Sequence, residues 1–273
     1  MDEFRDRVAV ITGGAGGIGR ALGRAFAARG ARIVLADIDQ QALDRVCGEL
    51  AAGGARVLGV RTDVTRLDSV QELLRTTLRE LGAVHVVCNN AGVAPFGEIA
   101  SATHRDWEFA MRVNFWGVVH GVETFVPHLI AQKAGGHVLN TASMAGLVGM
   151  QWLGIYCASK FAVVGLSESL HRELLPHGIG VSVLCPMIVE TDITANTYRL
   201  KPAELRNEGE TAPPPSPPAG AMKGGVIAPE EVARRVVRGI ERKDLYILTH
   251  PEQREFLRRR AARLDAMFEE GTW

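Results

Sequence analysis

Hydrophobic positions along this chain gather into short β-branched runs, each followed by a stretch of helical period. Arg7–Thr12 (RVAVIT) is such a run, ends directly on glycines, and reads as a buried strand. Ile18, Leu22, Ala25, Phe26 and Arg29 then recur at helical spacing, with Gly30 where a C-terminal cap belongs. Ala31–Ala36 predicts a second strand, and a polar-faced helix follows to about Ala52. The alternation continues with a strand at Ala55–Val60, a helix at Leu67–Leu81 and a strand at Val84–Cys88. A long helical stretch at about Thr103–Gln132 precedes a strand at His137–Thr141, a helix at Ile155–Leu175 and a sixth strand at Ile179–Leu184. Beyond Pro186 the pattern breaks down. Residues 229–242 read as a helix, Leu245–Leu248 as a seventh short strand, and 251–268 as a final charged helix.

Strands alternating with helices of about ten residues or more require crossover connections, hence a parallel sheet covered on both faces. Ligands of such α/β sheets bind beyond the carboxyl ends of the strands, where the strand order reverses. No internal repeat and no linker divides the 273 residues, which predicts one domain over 1–273. The one low-complexity stretch, Ala212–Gly220 (APPPSPPAG), can neither continue a helix nor join a central strand. It reads either as a disordered surface loop or as a flap over a substrate cleft.

Composition narrows the function. Thirty-one Lys+Arg balance thirty-one Asp+Glu, so the chain lacks the electrostatic footprint of a nucleic-acid binder. Cysteines at 47, 88, 157 and 185 form no CxxC pair and the histidines do not cluster. That argues against a metal site or a disulfide framework and fits reduced thiols in the cytoplasm. Met1–Arg7 is polar, so no signal peptide is visible, and no apolar run reaches the ~18 residues of a membrane span.

Directly after the first strand comes Thr12-Gly13-Gly14-Ala15-Gly16-Gly17-Ile18-Gly19. Glycines let the backbone approach a pyrophosphate, and the helix that follows aims its N–H groups at the anion. The strand before and helix after supply the context this motif needs. Asp37 ends the second strand about twenty residues on, with Ile38 beside it. A carboxylate there accepts hydrogen bonds from adenosine ribose hydroxyls and repels a 2′-phosphate. Ala15 and Gly16 put no cation in the turn, and Arg20 is expected to be solvated, so NAD is favoured over NADP. Asp63, ending the third strand before Val64, reads equally as a helix N-cap near Thr65 or as an adenine contact.

Tyr156 and Lys160 stand at i and i+4 on one helix face. A phenol with a pKa near 10 is too weak a base at neutral pH, and a fixed ammonium nearby brings it toward the working range. Ser143, at the end of the fifth strand, lies on the rim that carries the glycine turn, where its hydroxyl can polarise a carbonyl. Asn114 sits within the long helix despite poor helix propensity, and its amide can hold a water.

These residues, with Asn89-Asn90-Ala91-Gly92 and Thr191 after Pro186, resemble the short-chain dehydrogenase/reductase family over about residues 5–250. The resemblance implies a Rossmann-type, doubly wound, seven-stranded parallel sheet. It also implies a homotetramer or homodimer built through the helices near 103–132 and 155–175. It makes Tyr156 the proton-exchanging acid/base, Lys160 its pKa-lowering partner and ribose ligand, and Ser143 the group orienting the substrate oxygen. Asn114 would hold a water that completes a proton relay through Lys160. Gly13, Gly17, Ile18, Gly19, Asn90, Ala91, Gly92 and Pro186 would line the cofactor, Asp63 and Val64 would meet adenine, and Val189 and Thr191 the nicotinamide carboxamide. The family's usual Pro-Gly pair is Pro186-Met187 here, which projects a side chain near the nicotinamide or the cleft.

Specificity is expected from Ala94–Ile99, Ala145–Leu153 and the segment from Met187 to about Val226, with a substrate lid at about 192–226. Met150, Trp152, Leu153, Met187 and Ile188 suit a hydrophobic alcohol or ketone, or else pack a lid or a subunit interface. In the final helix, opposite charges at i, i+4 predict a self-paired, solvated face rather than a membrane surface. The reading is thus an NAD-dependent oxidoreductase interconverting a secondary alcohol and a ketone. An NADP-linked acyl-thioester ketoreductase and a non-catalytic NAD-binding sensor are the alternatives.

Overall fold

The computed structural model describes residues 4–210 and 224–269, so the proline-rich run at 212–220 lies outside the described residues. The strands are β1 (Val8–Thr12), β2 (Arg32–Asp37), β3 (Val57–Arg61), β4 (Val86–Asn89), β5 (Gly136–Thr141), β6 (Ile179–Cys185), the short β7 (Ile188–Val189) and β8 (Val226–Ile227), and β9 (Tyr246–Leu248). Seven of them form one sheet in the order β3-β2-β1-β4-β5-β6-β9, every neighbour pair parallel. The order reverses between β1 and β4. A crevice therefore opens beyond the carboxyl ends of these two strands.

Alternate residues of the central strands feed two cores, the period-2 geometry of a sheet buried on both faces. Ile11, Ile33 and Leu35 pack against α1 (Gly17–Ala27) and α8 (Pro229–Arg242) through Leu22, Phe26, Val232 and Val236. Val10, Val34, Val138 and Val181 face the other side. There α3 (Leu67–Leu81), α5 (Gly117–Gln132) and α6 (Gly154–Leu174) bring Leu73, Phe125, Leu129 and Leu170. Burying each such aliphatic or aromatic side chain contributes about 1.5–3 kcal/mol. The two cores fix the sheet, and with it the rim.

Between β2 and β3 runs α2 (Gln40–Ala52), whose N-cap Asp39 accepts from Ala42 N. The long helical stretch of 103–132 is interrupted. A Thr103/Asp106 capping box starts α4 (His104–Met111), a π-helical turn covers Arg112–Trp116, and α5 follows, with Pro127 inside it. Gly30 is the cap expected of it: at φ 81° its N–H donates to Ala27 O (2.9 Å) and Ala31 N donates to Phe26 O (3.2 Å), a Schellman turn that closes α1 and leads into β2.

The segment after Pro186 is ordered where the hydrophobic pattern fails. β7 pairs with β8, and α7 (Ile193–Arg199) follows β7 in the chain. Two-residue strands carry no period, and α7 buries only Thr197, so neither leaves a hydrophobic signature. The last helix, α9 (Arg254–Glu269), begins after a 3₁₀ turn at Pro251–Gln253. It shows the expected Arg259–Glu255 pair at i, i+4, and leaves Leu264 and Met267 more than half exposed. Among the described residues, no helix is long and apolar enough to cross a membrane, and no group of three or more potential metal ligands gathers.

Candidate active site

The rim beyond β1, β2 and β4 opens into a cleft of about 1030 Å³. The turn after β1 forms its floor. At Gly19 a Cβ would stand 2.1 Å from Gly13 O, so only glycine lets α1 start so close beneath the turn. Gly17 has φ 47°, and Thr191 packs on it with Cγ2 2.9 Å from where a Cβ would be. The strand-4 loop braces the same turn. Asn90 Nδ2 donates to Thr12 O (3.0 Å), and the Asn90 and Ala91 N–H groups donate to Thr12 Oγ1.

Asp37 ends β2 with both carboxylate oxygens on backbone donors, Oδ2 from Ala15 N (3.0 Å) and Oδ1 from Asp39 N (3.1 Å). Burial pushes its pKa up, against the pull of those hydrogen bonds. Each oxygen has lone-pair capacity left for a further donor. Ile38, Asp63 and Val64 line the cleft beside it. Asp63 Oδ1 accepts from Thr65 N and Thr65 Oγ1, a local turn, and the N-cap position of α3 is Arg66. Arg20 is paired with Glu49 at 2.8 Å. Other cations do reach the cleft: Arg45, Arg66 and Arg199 line it, and Arg199 bonds Asp39 at 3.0 Å across 160 residues of sequence. That long separation hid Arg199 from any spacing argument.

Tyr156, Lys160, Thr141 and Ala142 form the wall facing the glycine turn. Lys160 is 2% exposed, donates Nζ to Thr141 O at 2.9 Å, and lies 5.6 Å from the Tyr156 ring centroid. Burial pushes the Tyr156 phenol up to about 12, and a hydrogen bond with Ser143 works against that. Burial also brings Lys160 down to about 8. Burial thus acts on both groups against the charged form.

Ser143 stands just past β5, with Oγ accepting from Ala145 N and donating to Pro186 O (3.3 Å). Asn114 is fully buried in the π-helical turn, a kind of bulge common at functional sites. Its side chain makes three hydrogen bonds within the protein. Oδ1 accepts from Val93 N, and Nδ2 donates to Val93 O and Ser159 Oγ. The amide ties α4–α5 to the strand-4 loop and to α6. Gly13, Gly17, Ile18, Asn90, Ala91, Gly92, Pro186, Val189 and Thr191 line the cleft, and Ser143 reaches it through its hydrogen bond with Tyr156.

The profile of the short chain dehydrogenase family matches residues 7–201. The chain belongs to the short-chain dehydrogenase/reductase family of oxidoreductases. It is 33% identical to the CLA biosynthesis dehydrogenase/reductase of Lactiplantibacillus plantarum over 97% of this chain and 95% of that one. It is 34% identical to the C alpha-dehydrogenase of a Sphingobium species, over 94% and 85% of the two chains. A short-chain dehydrogenase/reductase from Burkholderia phymatum, solved in complex with NAD, superimposes with TM-score 0.89 at 39% identity, covering 98% and 97%. The seven-stranded parallel sheet is that family's Rossmann-type fold.

Within this dehydrogenase/reductase, sequence reasoning missed three residues near the rim. Thr12 and Thr141 act through the hydrogen bonds above, and a threonine at the end of a strand was the only signal. His250, after β9, is 3% exposed. Its Nδ1 accepts from Met187 N (3.2 Å), and Nε2 lies 3.0 Å from Gly225 O. The Met187 side chain, anticipated near the cleft, lines it and also packs beside Gly224.

Proposed function

We propose that this protein is an NAD-dependent oxidoreductase that interconverts a secondary alcohol and a ketone on a hydrophobic substrate. The observation that carries the reading is the convergence of Tyr156 and Lys160 with the glycine turn and Asp37 on one cleft. The residues fit a dinucleotide. Asp37 has oxygen lone pairs for ribose hydroxyls, the turn leaves room for a pyrophosphate at the α1 N-terminus, and Asn90, Gly92, Val189 and Thr191 surround the inner end. Asp37 opposes a 2′-phosphate, which supports NAD over NADP. The nicotinamide, when bound, supplies hydride acceptance and donation.

The protein manages the proton. During oxidation Tyr156 takes the proton from the alcohol oxygen as the carbon gives up its hydride; during reduction it returns a proton to the carbonyl oxygen. Ser143 turns its O–H from Pro186 O toward the substrate oxygen and so orients it. Lys160, held on Thr141 O, keeps a positive charge beside the forming phenolate and faces the cofactor ribose. Asn114 fixes the strand-4 loop and α6 relative to each other. Asp63 and Val64 meet the adenine.

Phe96, Phe109, Met150, Leu153, Met187 and Leu205 give the substrate end an apolar lining. Residues 192–210 act as its lid. Thr197 Oγ1 accepts from Ala94 N (2.8 Å) and Tyr198 Oη from Phe96 N, which seats α7 on the strand-4 loop. The half-exposed Trp116 supports assembly as a homodimer or homotetramer through α4–α6, and four free cysteines support a cytoplasmic setting.

The test is turnover of NAD with pooled hydrophobic secondary alcohols by wild type and Tyr156→Phe, following free and bound NADH. Wild type should form NADH while Tyr156→Phe forms none and still binds NAD. Full activity in that variant, or tighter binding of NADPH than of NADH, overturns the reading.

A further inference from the structure

A second cavity of about 260 Å³ adjoins the cleft, and Phe96 and Phe109 line both. Four aromatic side chains, Phe96, Phe109, Trp152 and Tyr198, contribute to its wall. Trp152 sits there at φ 68°, a backbone conformation tryptophan rarely adopts. Its carbonyl accepts from Gly97 N at 2.9 Å, and its ring stacks on Phe96 with centroids 5.9 Å apart. The fold thus sustains local strain to hold an indole at the cavity wall.

Charge at this cavity is one-sided. Among the described residues, Glu98, Asp106 and Glu210 line it against a single cation, Lys201, leaving two negative charges in excess. Lys201 is committed: its side chain is 4% exposed and its Nζ lies 2.8 Å from both Asp106 Oδ1 and Glu210 Oε2. That cluster, with Asn207 Nδ2 on Asp106, anchors the segment after α7 to α4. Anchoring accounts for Lys201, Asp106 and Glu210. It does not account for four aromatic side chains around a void, nor for Glu98 on its rim.

Aromatic faces and surplus carboxylates together attract an organic cation, and the same field repels an anion. We propose that this cavity receives a protonated amine at the far end of the substrate, so that the preferred substrates are apolar amino alcohols and amino ketones. The inference rests on the oxidoreductase reading and deepens it by naming the substrate class. It also disfavours substrates with a distal carboxylate.

The test compares three aryl ketones of matched shape whose distal group is dimethylammonium, isopropyl or carboxylate. Each is reduced with NADH at pH 7, and kcat/KM is measured. The amine should exceed its carbon isostere by about 5–10-fold, as ring and carboxylate attractions combine, and the carboxylate should fall below the isostere. The amine-to-isostere ratio should shrink in high salt and in Glu98→Gln and Trp152→Leu; Glu98 is exposed, so its variant tests the charge without threatening the fold. Equal rates for all three, or a carboxylate preference, overturns the proposal. Binding of benzyltrimethylammonium, followed by saturation-transfer NMR, gives a readout independent of turnover. Probe binding that weakens in both variants, with no ketone reduced, would overturn the oxidoreductase reading and leave the cation site standing. Turnover without preference and without probe binding would overturn the cation site alone.

Discussion

His250→Phe would remove a pin that holds three segments at the inner end of the cleft. In the native structure the His250 ring is satisfied by one neutral tautomer. Nδ1 accepts from Met187 N (3.2 Å) and from Thr249 Oγ1 (2.7 Å), and Nε2 donates to Gly225 O (3.0 Å) and Ile188 O (3.2 Å). The residue before Met187, Pro186, presents its carbonyl to Met144 N (2.8 Å) and Ser143 Oγ (3.3 Å). His250 therefore positions Ser143 through two residues of backbone. Phenylalanine fills the space and supplies neither acceptor nor donor. An orphaned buried N–H costs about 1–3 kcal/mol and each lost neutral hydrogen bond about 1 kcal/mol, so the sum is about 2–4 kcal/mol. For a chain of this size that lowers Tm by roughly 5–15 °C. His250→Asn keeps an acceptor within reach of Met187 N and should recover about half of the loss. Thermal unfolding of the three proteins, with kcat and the NAD KM measured alongside, checks the reasoning. Because the pin acts on Ser143, kcat should fall further than the NAD KM rises, and Asn should restore it in part. A His250→Phe protein that melts within 1 °C of wild type with unchanged kcat would refute the argument.

Gly121→Ala would place a Cβ 2.0 Å from Asn89 Oδ1, so either the buried Asn89 side chain gives up its bond to Asn140 or α5 moves off β4; urea unfolding should show a loss of about 3 kcal/mol, and a loss below about 0.5 kcal/mol would contradict the packing. Asp37→Asn takes away the charge proposed to bind ribose hydroxyls and to oppose a 2′-phosphate. Fluorescence titration should show NADH binding weakened about 10-fold or more and the preference over NADPH reduced; unchanged NADH affinity would rule out that role for Asp37. Lys160 titrates at about 8 when folded against 10.5 for an ordinary lysine, so the unfolded chain binds more protons between those pH values. Its contribution to stability is full above the upper value and is lost as pH falls through the lower one. The stability of wild type relative to Lys160→Met should therefore rise from pH 8 to pH 10.5, and a flat or falling difference would show that Lys160 is not desolvated.

What could be read from the sequence is whatever the backbone and local period determine. The strand–glycine–helix turn, Asp37 at the end of β2, and Tyr156 and Lys160 one helical turn apart are local patterns, and the fold brings them to one cleft. The substrate end is assembled differently. Arg199 meets Asp39, Lys201 meets Asp106, and His250 meets Met187, each across dozens of residues or more. No period links such partners, so no window of sequence contains them. Asn114 shows the same limit at closer range. Its poor helix propensity marked the position correctly, but its side chain is taken up by Val93 and Ser159, which only tertiary packing brings together. The burial of the Tyr156 phenol is likewise set by tertiary packing, which the Tyr–Lys spacing does not reveal.

The shared burial of these two groups has a mechanistic use. Lys160 has a carbonyl as its hydrogen-bond acceptor, and burial disfavours the charged form of both Lys160 and Tyr156. A phenolate at Tyr156 would give the buried ammonium its missing counter-charge, and the ammonium would do likewise for the phenolate. Each group thus lowers the cost of charging the other, although neither is comfortable charged alone. Any further positive charge entering the cleft tips the pair toward phenolate, the form that accepts a proton from an alcohol. A neutral ring in the same place leaves the phenol protonated, the form that donates to a ketone. The oxidised nicotinamide is positive and the reduced one neutral. On the proposed reaction, a site desolvated in this way would take the protonation state each direction needs, without a dedicated acidic residue to set it.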